Sequence, residues 1–168
     1  MQTIPDNKNG YYKWWATGDF FYKILEKLNL IDDKNLNGSI KNAIEKKENL
    51  FCIYLGIAPV RSLRERIDSH INQNNSKYNV RHSTLRKSLT SLFVANKSDC
   101  IGTNELINEL WVEFFPSELP FGDPYTKMEL ENLETELLKN NFYILNLDKN
   151  KHPLTEYTVK KIKILRKK

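Results

Sequence analysis

One segment, residues 50–71, constrains the fold more than any other part of the chain. Residues 51–55 read Phe-Cys-Ile-Tyr-Leu, an apolar, β-branched and aromatic run without a breaker, which predicts a strand. Gly56 and Pro59 then end that strand. Ser62 and Glu65 have the spacing of a capping box, so a helix is predicted to begin directly after the turn.

The predicted helix has two distinct faces. Leu63, Ile67 and Ile71 recur every four residues and form its buried stripe. Arg66 and His70 have the same spacing on a neighbouring stripe. A cation and an imidazole are therefore expected to face the same way, one turn after the strand.

The remaining pattern predicts several helices around three strands. Residues 11–15 and 110–115 are the other two predicted strands, while helical spacing covers 19–30, 39–47, 84–95, 103–109, 126–140 and 155–168. Residues 32–38 look like a polar turn, and 142–147 is either a short strand or packed extended chain. Without a regular strand–helix–strand alternation, this order favours an α+β fold.

Composition is that of an ordinary globular domain. The chain has 168 residues and a net charge of +5, which favours a polyanionic partner only weakly. It contains no apolar run of membrane-spanning length, and its first residues do not resemble a signal peptide. Cys52 and Cys100 have no disulfide or metal spacing. These features predict one cytoplasmic domain with reduced thiols and no membrane association.

Four short motifs in order resemble the GIY-YIG nuclease superfamily. The motifs are Gly10-Tyr11-Tyr12, then Tyr54-Leu55-Gly56 with Arg66 and His70 on the following helix, then Leu133-Glu134 with Leu137-Leu138, and finally Asn146. The resemblance implies a small three-stranded antiparallel sheet flanked by helices. This sequence departs from typical members at one place: a helical insertion, residues 17–49, is predicted between the first two strands, where those members have a short turn. Residues 1–168 would form a single domain, with 150–168 as a basic C-terminal helix or tail.

The resemblance also implies a metal-dependent DNA endonuclease that hydrolyses phosphodiester bonds. Tyr12 and Tyr54 would assist attack by water, Arg66 would clamp the phosphate, and Glu134 would bind Mg²⁺ or Mn²⁺. Gly56 and Asn146 would support the site. A tyrosine phenol, with a pKa of about 10, is a poor base unless a nearby cation or metal lowers that value, and Arg66 together with a metal-bound water is expected to do this for Tyr12.

Alternatives stay open at this point. His70 is either catalytic or the structural partner of Arg66. Arg64 competes with Arg66 as the clamp, and Glu131 competes with Glu134 as the metal ligand. In the other interpretation of both motif tyrosines, each is an ordinary strand aromatic that packs in the core.

Basic residues suggest where DNA would bind. The predicted nucleic-acid-binding residues are Arg64, Arg81, His82, Arg86 and Lys87, and the C-terminal lysines would add non-specific affinity. The rival function is a non-catalytic nucleic-acid-binding module on the same scaffold. Restriction, repair and mobile-element cutting all fit the sequence. The oligomeric state is open, since a double-strand cut would need a dimer or two visits.

Overall fold

The computed structural model describes residues 4, 6, 8–71, 83–96, 98–117 and 125–167. Its strands are β1 (Gly10–Thr17), β2 (Lys46–Lys47), β3 (Leu50–Ala58) and β4 (Trp111–Pro116). Its helices are α1 (Gly18–Lys27), α2 (Lys34–Ala43), α3 (Leu63–Asp68), α4 (Thr84–Phe93), α5 (Cys100–Asn108), α6 (Lys127–Asn140) and α7 (Thr155–Lys167). This element order confirms the predicted α+β class. In the part of the chain that the structure describes, no helix is both long and apolar enough to cross a membrane.

The sheet is antiparallel with the order β2-β3-β1-β4. The three predicted strands do share one sheet, but the prediction of only three strands is wrong. The additional strand, β2, pairs with the start of β3 and lies inside the segment predicted to be a purely helical insertion. Its sequence, Lys46–Lys47, is charged and exposed, so no apolar pattern marked it.

Helix α2 is displaced from its predicted position at 39–47. It begins at Lys34 because the Asp33 carboxylate accepts a hydrogen bond from the Leu36 N–H and caps the helix. It ends at Ala43, where the chain becomes extended and leads into β2. The segment interpreted as a polar turn is therefore mostly helix.

Register places the aromatic residues of β1 and β3 on a common face. Tyr12 lies opposite Gly56, and Trp14 lies opposite Tyr54. Residues directly opposite each other in neighbouring strands point to the same side of a sheet. That side carries the main core, which includes Leu63 of α3. The other side forms a smaller cluster of Trp15, Cys52 and Leu55 with Leu138 of α6 and Tyr143.

The segment 142–147 packs beside β3 without forming a strand. Its residues are buried, and the Leu145 N–H donates to the Ile53 carbonyl at 3.0 Å. The Asn146 side chain then accepts from the Leu55 N–H and donates to the Leu55 carbonyl, both at 2.8 Å. The amide thus replaces a neighbouring strand at the edge of β3, beyond its pairing with β2.

Helix α3 begins as the sequence predicts. Both hydrogen bonds of the Ser62–Glu65 capping box are present, and Leu63 and Ile67 are fully buried. The helix ends at Asp68, so His70 lies in the turn that follows it.

Candidate active site

A groove of about 380 Å³ lies between the C-terminal half of β3 and helix α6. Four of the site residues predicted from the sequence line this groove: Tyr54, Gly56, Arg66 and Glu134. The lining is completed by Glu131, Lys149 and residues 57–61, which are the end of β3 and the start of the β3–α3 loop. Side chains from β3, α3 and α6, far apart in the sequence, therefore meet in one concave surface.

Tyr54 reaches the groove from the core side of the sheet. Only 5% of the residue is exposed, and burial raises the pKa of its phenol to about 12. The Arg66 guanidinium lowers this pKa and Glu134 raises it, but burial is the larger cause. At neutral pH the Tyr54 phenol therefore keeps its proton.

Glu134 lies against the groove with little of its carboxylate exposed. Its side chain is 13% exposed, and its Oε2 lies 3.2 Å from Lys149 Nζ. Glu131, the alternative, lines the same groove and lies 3.9 Å from Lys127 Nζ. Both carboxylates therefore lie in the lining of the same groove.

These donors fit Mg²⁺ or Mn²⁺ better than a metal that needs a full protein cage. Among the described residues, no group of three or more His, Cys, Asp and Glu side chains could hold a metal. Mg²⁺ commonly uses one or two carboxylates and keeps water in its other positions. Glu134, with Glu131 in the same groove, provides that kind of donor set, and in this structure Lys149 is paired with the Glu134 carboxylate.

Tyr12 lies beneath the groove and is fully buried. A Cβ atom added to Gly56 would overlap the Cζ and Oη atoms of the Tyr12 ring. Glycine at position 56 therefore lets the phenol lie directly against β3, a close approach that only glycine in a strand permits.

The Tyr12 phenol belongs to a buried hydrogen-bonded chain. Its Oη lies 2.8 Å from His70 Nε2, and His70 Nδ1 lies 2.6 Å from Ser83 Oγ. Arg66 also hydrogen-bonds to this phenol. Burial raises the Tyr12 pKa and outweighs the lowering effect of Arg66. Arg66 alone therefore does not bring the Tyr12 pKa below its usual value.

His70 is neutral at physiological pH. Burial lowers its pKa to about 3, and the charges of Arg66 and Arg86 act in the same direction. The residue is fully buried, and the Tyr12 phenol links its Nε2 atom to Arg66 in the groove. This geometry favours the structural alternative for His70. Tyr12 and His70 therefore lie below the groove and not in its lining.

Arg86 does not suit its predicted contact with DNA. Its side chain is fully buried, donating from Nη1 to the His70 carbonyl at 2.6 Å and from Nη2 to Asn104 Oδ1 at 2.8 Å. The Arg86 guanidinium is therefore not available to DNA, because it is used to hold the His70 turn and Asn104 against α4.

The other predicted DNA contacts have different outcomes. Arg64 forms an ion pair with Asp6 and donates to the Ile4 carbonyl at 3.0 Å, away from the groove. Lys87 is half-buried on α4. Arg81 and His82 lie outside the described residues.

Sequence reasoning missed two cations in the groove, Arg61 and Lys149. Arg61 follows the strand in the β3–α3 loop, where a basic residue could have been noticed as a phosphate contact. Lys149 carries no motif signal, because its position depends on how the chain turns after Asn146.

One of the comparisons with known proteins identifies the family of this chain. The family model of the GIY-YIG catalytic domain matches residues 10–168, which include every motif residue in the groove and beneath it. No curated protein and no solved structure matches the chain. With nearly the whole sequence matched, the chain belongs to the GIY-YIG catalytic domain family, whose members are generally nucleases.

Proposed function

We propose that this protein is a metal-dependent DNA endonuclease that hydrolyses phosphodiester bonds in the groove. The observation that carries the proposal is the convergence of Tyr54, Arg66 and Glu134 in one groove. A phenol, a guanidinium and a carboxylate are the groups needed to orient water, neutralise a phosphate and hold a cation. Family membership supports the nuclease chemistry.

Arg66 would hold the scissile phosphate. Its guanidinium is always charged and presents a planar fork that matches two phosphate oxygens. The hydrogen bond to the buried Tyr12 phenol orients this fork before substrate arrives. Tyr12 and His70 then act as positioning residues, because they reach the phosphate only through Arg66.

Tyr54 would orient the attacking water. Its phenol lines the groove and, with a pKa of about 12, remains protonated at neutral pH, so its oxygen contributes a lone pair rather than a negative charge. Accepting a hydrogen bond from water would direct that water toward the phosphorus held by Arg66. A divalent cation held by Glu134 would supply the charge that activates water and stabilises the phosphoryl oxygens.

Surface charge supports DNA as the substrate. Lys160, Lys163 and Lys167 form an exposed stripe along α7. Such a stripe would attract the phosphate backbone independently of sequence, with the salt dependence typical of counterion release. A basic helix is also common on proteins that bind no DNA, so the groove rather than α7 carries the proposal.

The deciding experiment is cleavage of supercoiled plasmid DNA with Mg²⁺ or Mn²⁺, with and without a chelator. An endonuclease converts the plasmid to nicked or linear product, and the chelator stops the reaction. Salt-dependent binding without any cleavage would support the non-catalytic module instead. If the protein neither binds nor cleaves the plasmid, the nuclease proposal is refuted.

A matched pair of variants assigns the carboxylate. Glu134→Gln should lose cleavage but keep most of its DNA affinity, because the affinity comes from the basic surface. Glu136→Gln removes the same charge from an exposed position on the same helix and should cleave like wild type. Full activity in Glu134→Gln would transfer the metal role to Glu131.

A further inference from the structure

We propose that Lys149 is a further substrate-contacting residue, which releases Glu134 and binds a phosphate of the DNA when a cation occupies that carboxylate. The inference rests on the proposed function. Lys149 lines the same groove as Tyr54 and Arg66, and its Nζ lies 3.2 Å from Glu134 Oε2.

The loop that carries Lys149 is held in place. Asn146 is bound to the backbone of β3, and Asn150 Nδ2 donates to the Tyr143 carbonyl at 3.3 Å and to the Asn146 carbonyl at 3.4 Å. Between these anchors, Lys149 adopts a left-handed backbone with φ of 61°. This conformation is uncommon for a residue other than glycine, and the Lys149 side chain lines the groove. The turn thus aims a lysine, rather than a glycine, at the groove.

The ion pair with Glu134 is suited to exchange. The Lys149 side chain is 59% exposed, so water screens its attraction to the carboxylate. Its flexible four-carbon stem lets the ammonium turn without moving the backbone. When a divalent cation takes the Glu134 carboxylate, the ammonium loses its partner, and a phosphate oxygen in the groove is the replacement anion.

The groove as a whole also favours a polyanion. Its described lining has the cations Arg61, Arg66 and Lys149 against the carboxylates Glu131 and Glu134. A cation bound at Glu134 would increase this excess of positive charge. Two phosphates in succession, one on Arg66 and one on Lys149, are therefore consistent with a DNA strand lying along the groove.

Lys149→Asn is the appropriate variant. Asparagine tolerates the left-handed conformation better than most residues, so the change removes the ammonium without adding backbone strain. Lys151→Asn is the matched control, because it removes the same charge from an exposed residue that does not line the groove. Circular dichroism and the unfolding midpoint should be unchanged in both.

Binding is measured in a Glu134→Gln background, where Lys149 has lost its carboxylate partner and cleavage does not interfere. The probe is a fluorescent mixed-sequence DNA duplex, titrated over a series of salt concentrations. Lys149→Asn should reduce the slope of log affinity against log salt by about 0.9, as expected for one lost phosphate contact. The Lys151→Asn slope should change by much less. Equal slopes for the two variants would overturn the inference.

Cleavage provides the second readout. With Glu134 intact, Lys149→Asn should slow single-turnover cleavage about tenfold or more, as for a lost charge-assisted contact, and Lys149→Arg should restore most of the rate. If wild type cleaves and Lys149→Asn matches it, the inference fails while the proposed function stands. If wild type does not cleave at all, the proposed function fails, and the binding slopes still decide whether Lys149 contacts phosphate.

Discussion

Buried, neutral His70 should make the fold sensitive to acid. Its pKa in the folded protein is about 3, against an ordinary value of 6.5. Between these values the unfolded chain binds a proton that the folded protein does not, so folding stability falls as pH drops below 6.5. One pH unit is worth about 1.36 kcal/mol, so lowering the pH from 7 to 5 should remove about 2 kcal/mol through His70 alone.

The assay is urea denaturation at both pH values, followed by tryptophan fluorescence, for wild type and His70→Gln. The variant cannot be protonated and can still offer a hydrogen bond to Tyr12, and His152 is present in both proteins and cancels. The unfolding free energy of wild type minus that of His70→Gln should decrease by about 2 kcal/mol between pH 7 and pH 5. A constant difference between the two proteins would refute the assignment of a neutral, buried His70.

Three further changes test the packing and chemistry around the groove. Gly56→Ala should destabilise the protein by about 1–3 kcal/mol, because the added Cβ atom overlaps the Tyr12 ring. Gly38→Ala lies inside helix α2, where the added Cβ atom meets nothing, so it should stabilise the protein by about 0.5–1 kcal/mol. Equal urea midpoints for the two variants would contradict this. Asn146→Ala should cost about 2–5 kcal/mol because it leaves the backbone groups at the edge of β3 unpaired, and an unchanged midpoint would show that water replaces the amide. In single-turnover cleavage, Tyr54→Phe should lose about 100-fold or more and Tyr12→Phe about tenfold, and the reverse order would return the water-orienting role to Tyr12.

The three long strands could be predicted because each is rich in aromatic or β-branched residues. β2 could not be, since Lys46–Lys47 has no apolar pattern and pairs only because the chain folds back on β3. The start of α2 was predicted too late, because residues 32–38 are polar and resemble a turn, whereas Asp33 caps a helix that begins there. Local sequence therefore predicted the elements that bury apolar surface, and missed those set by a cap or by a neighbouring strand.

The candidate site shows the same division. The family resemblance was enough to predict Tyr54, Arg66 and Glu134 as site residues, and all three line one groove. It could not show that Arg86 is buried, because the position of a long basic side chain depends on which acceptors the tertiary fold leaves beside it. The pairing of Lys149 with Glu134 was also beyond the sequence, since it requires the turn after segment 142–147.

The central claim, that the groove is where DNA is cleaved, is tested most directly by comparing Arg66→Ala with Arg64→Ala in single-turnover plasmid cleavage with Mn²⁺. Both variants remove an arginine from α3, but Arg66 lines the groove while Arg64 pairs with Asp6 outside it. Arg66→Ala should lose about 10²–10³-fold in rate while remaining folded, and Arg64→Ala should stay within a few-fold of wild type. Equal rates for the two variants would contradict the account.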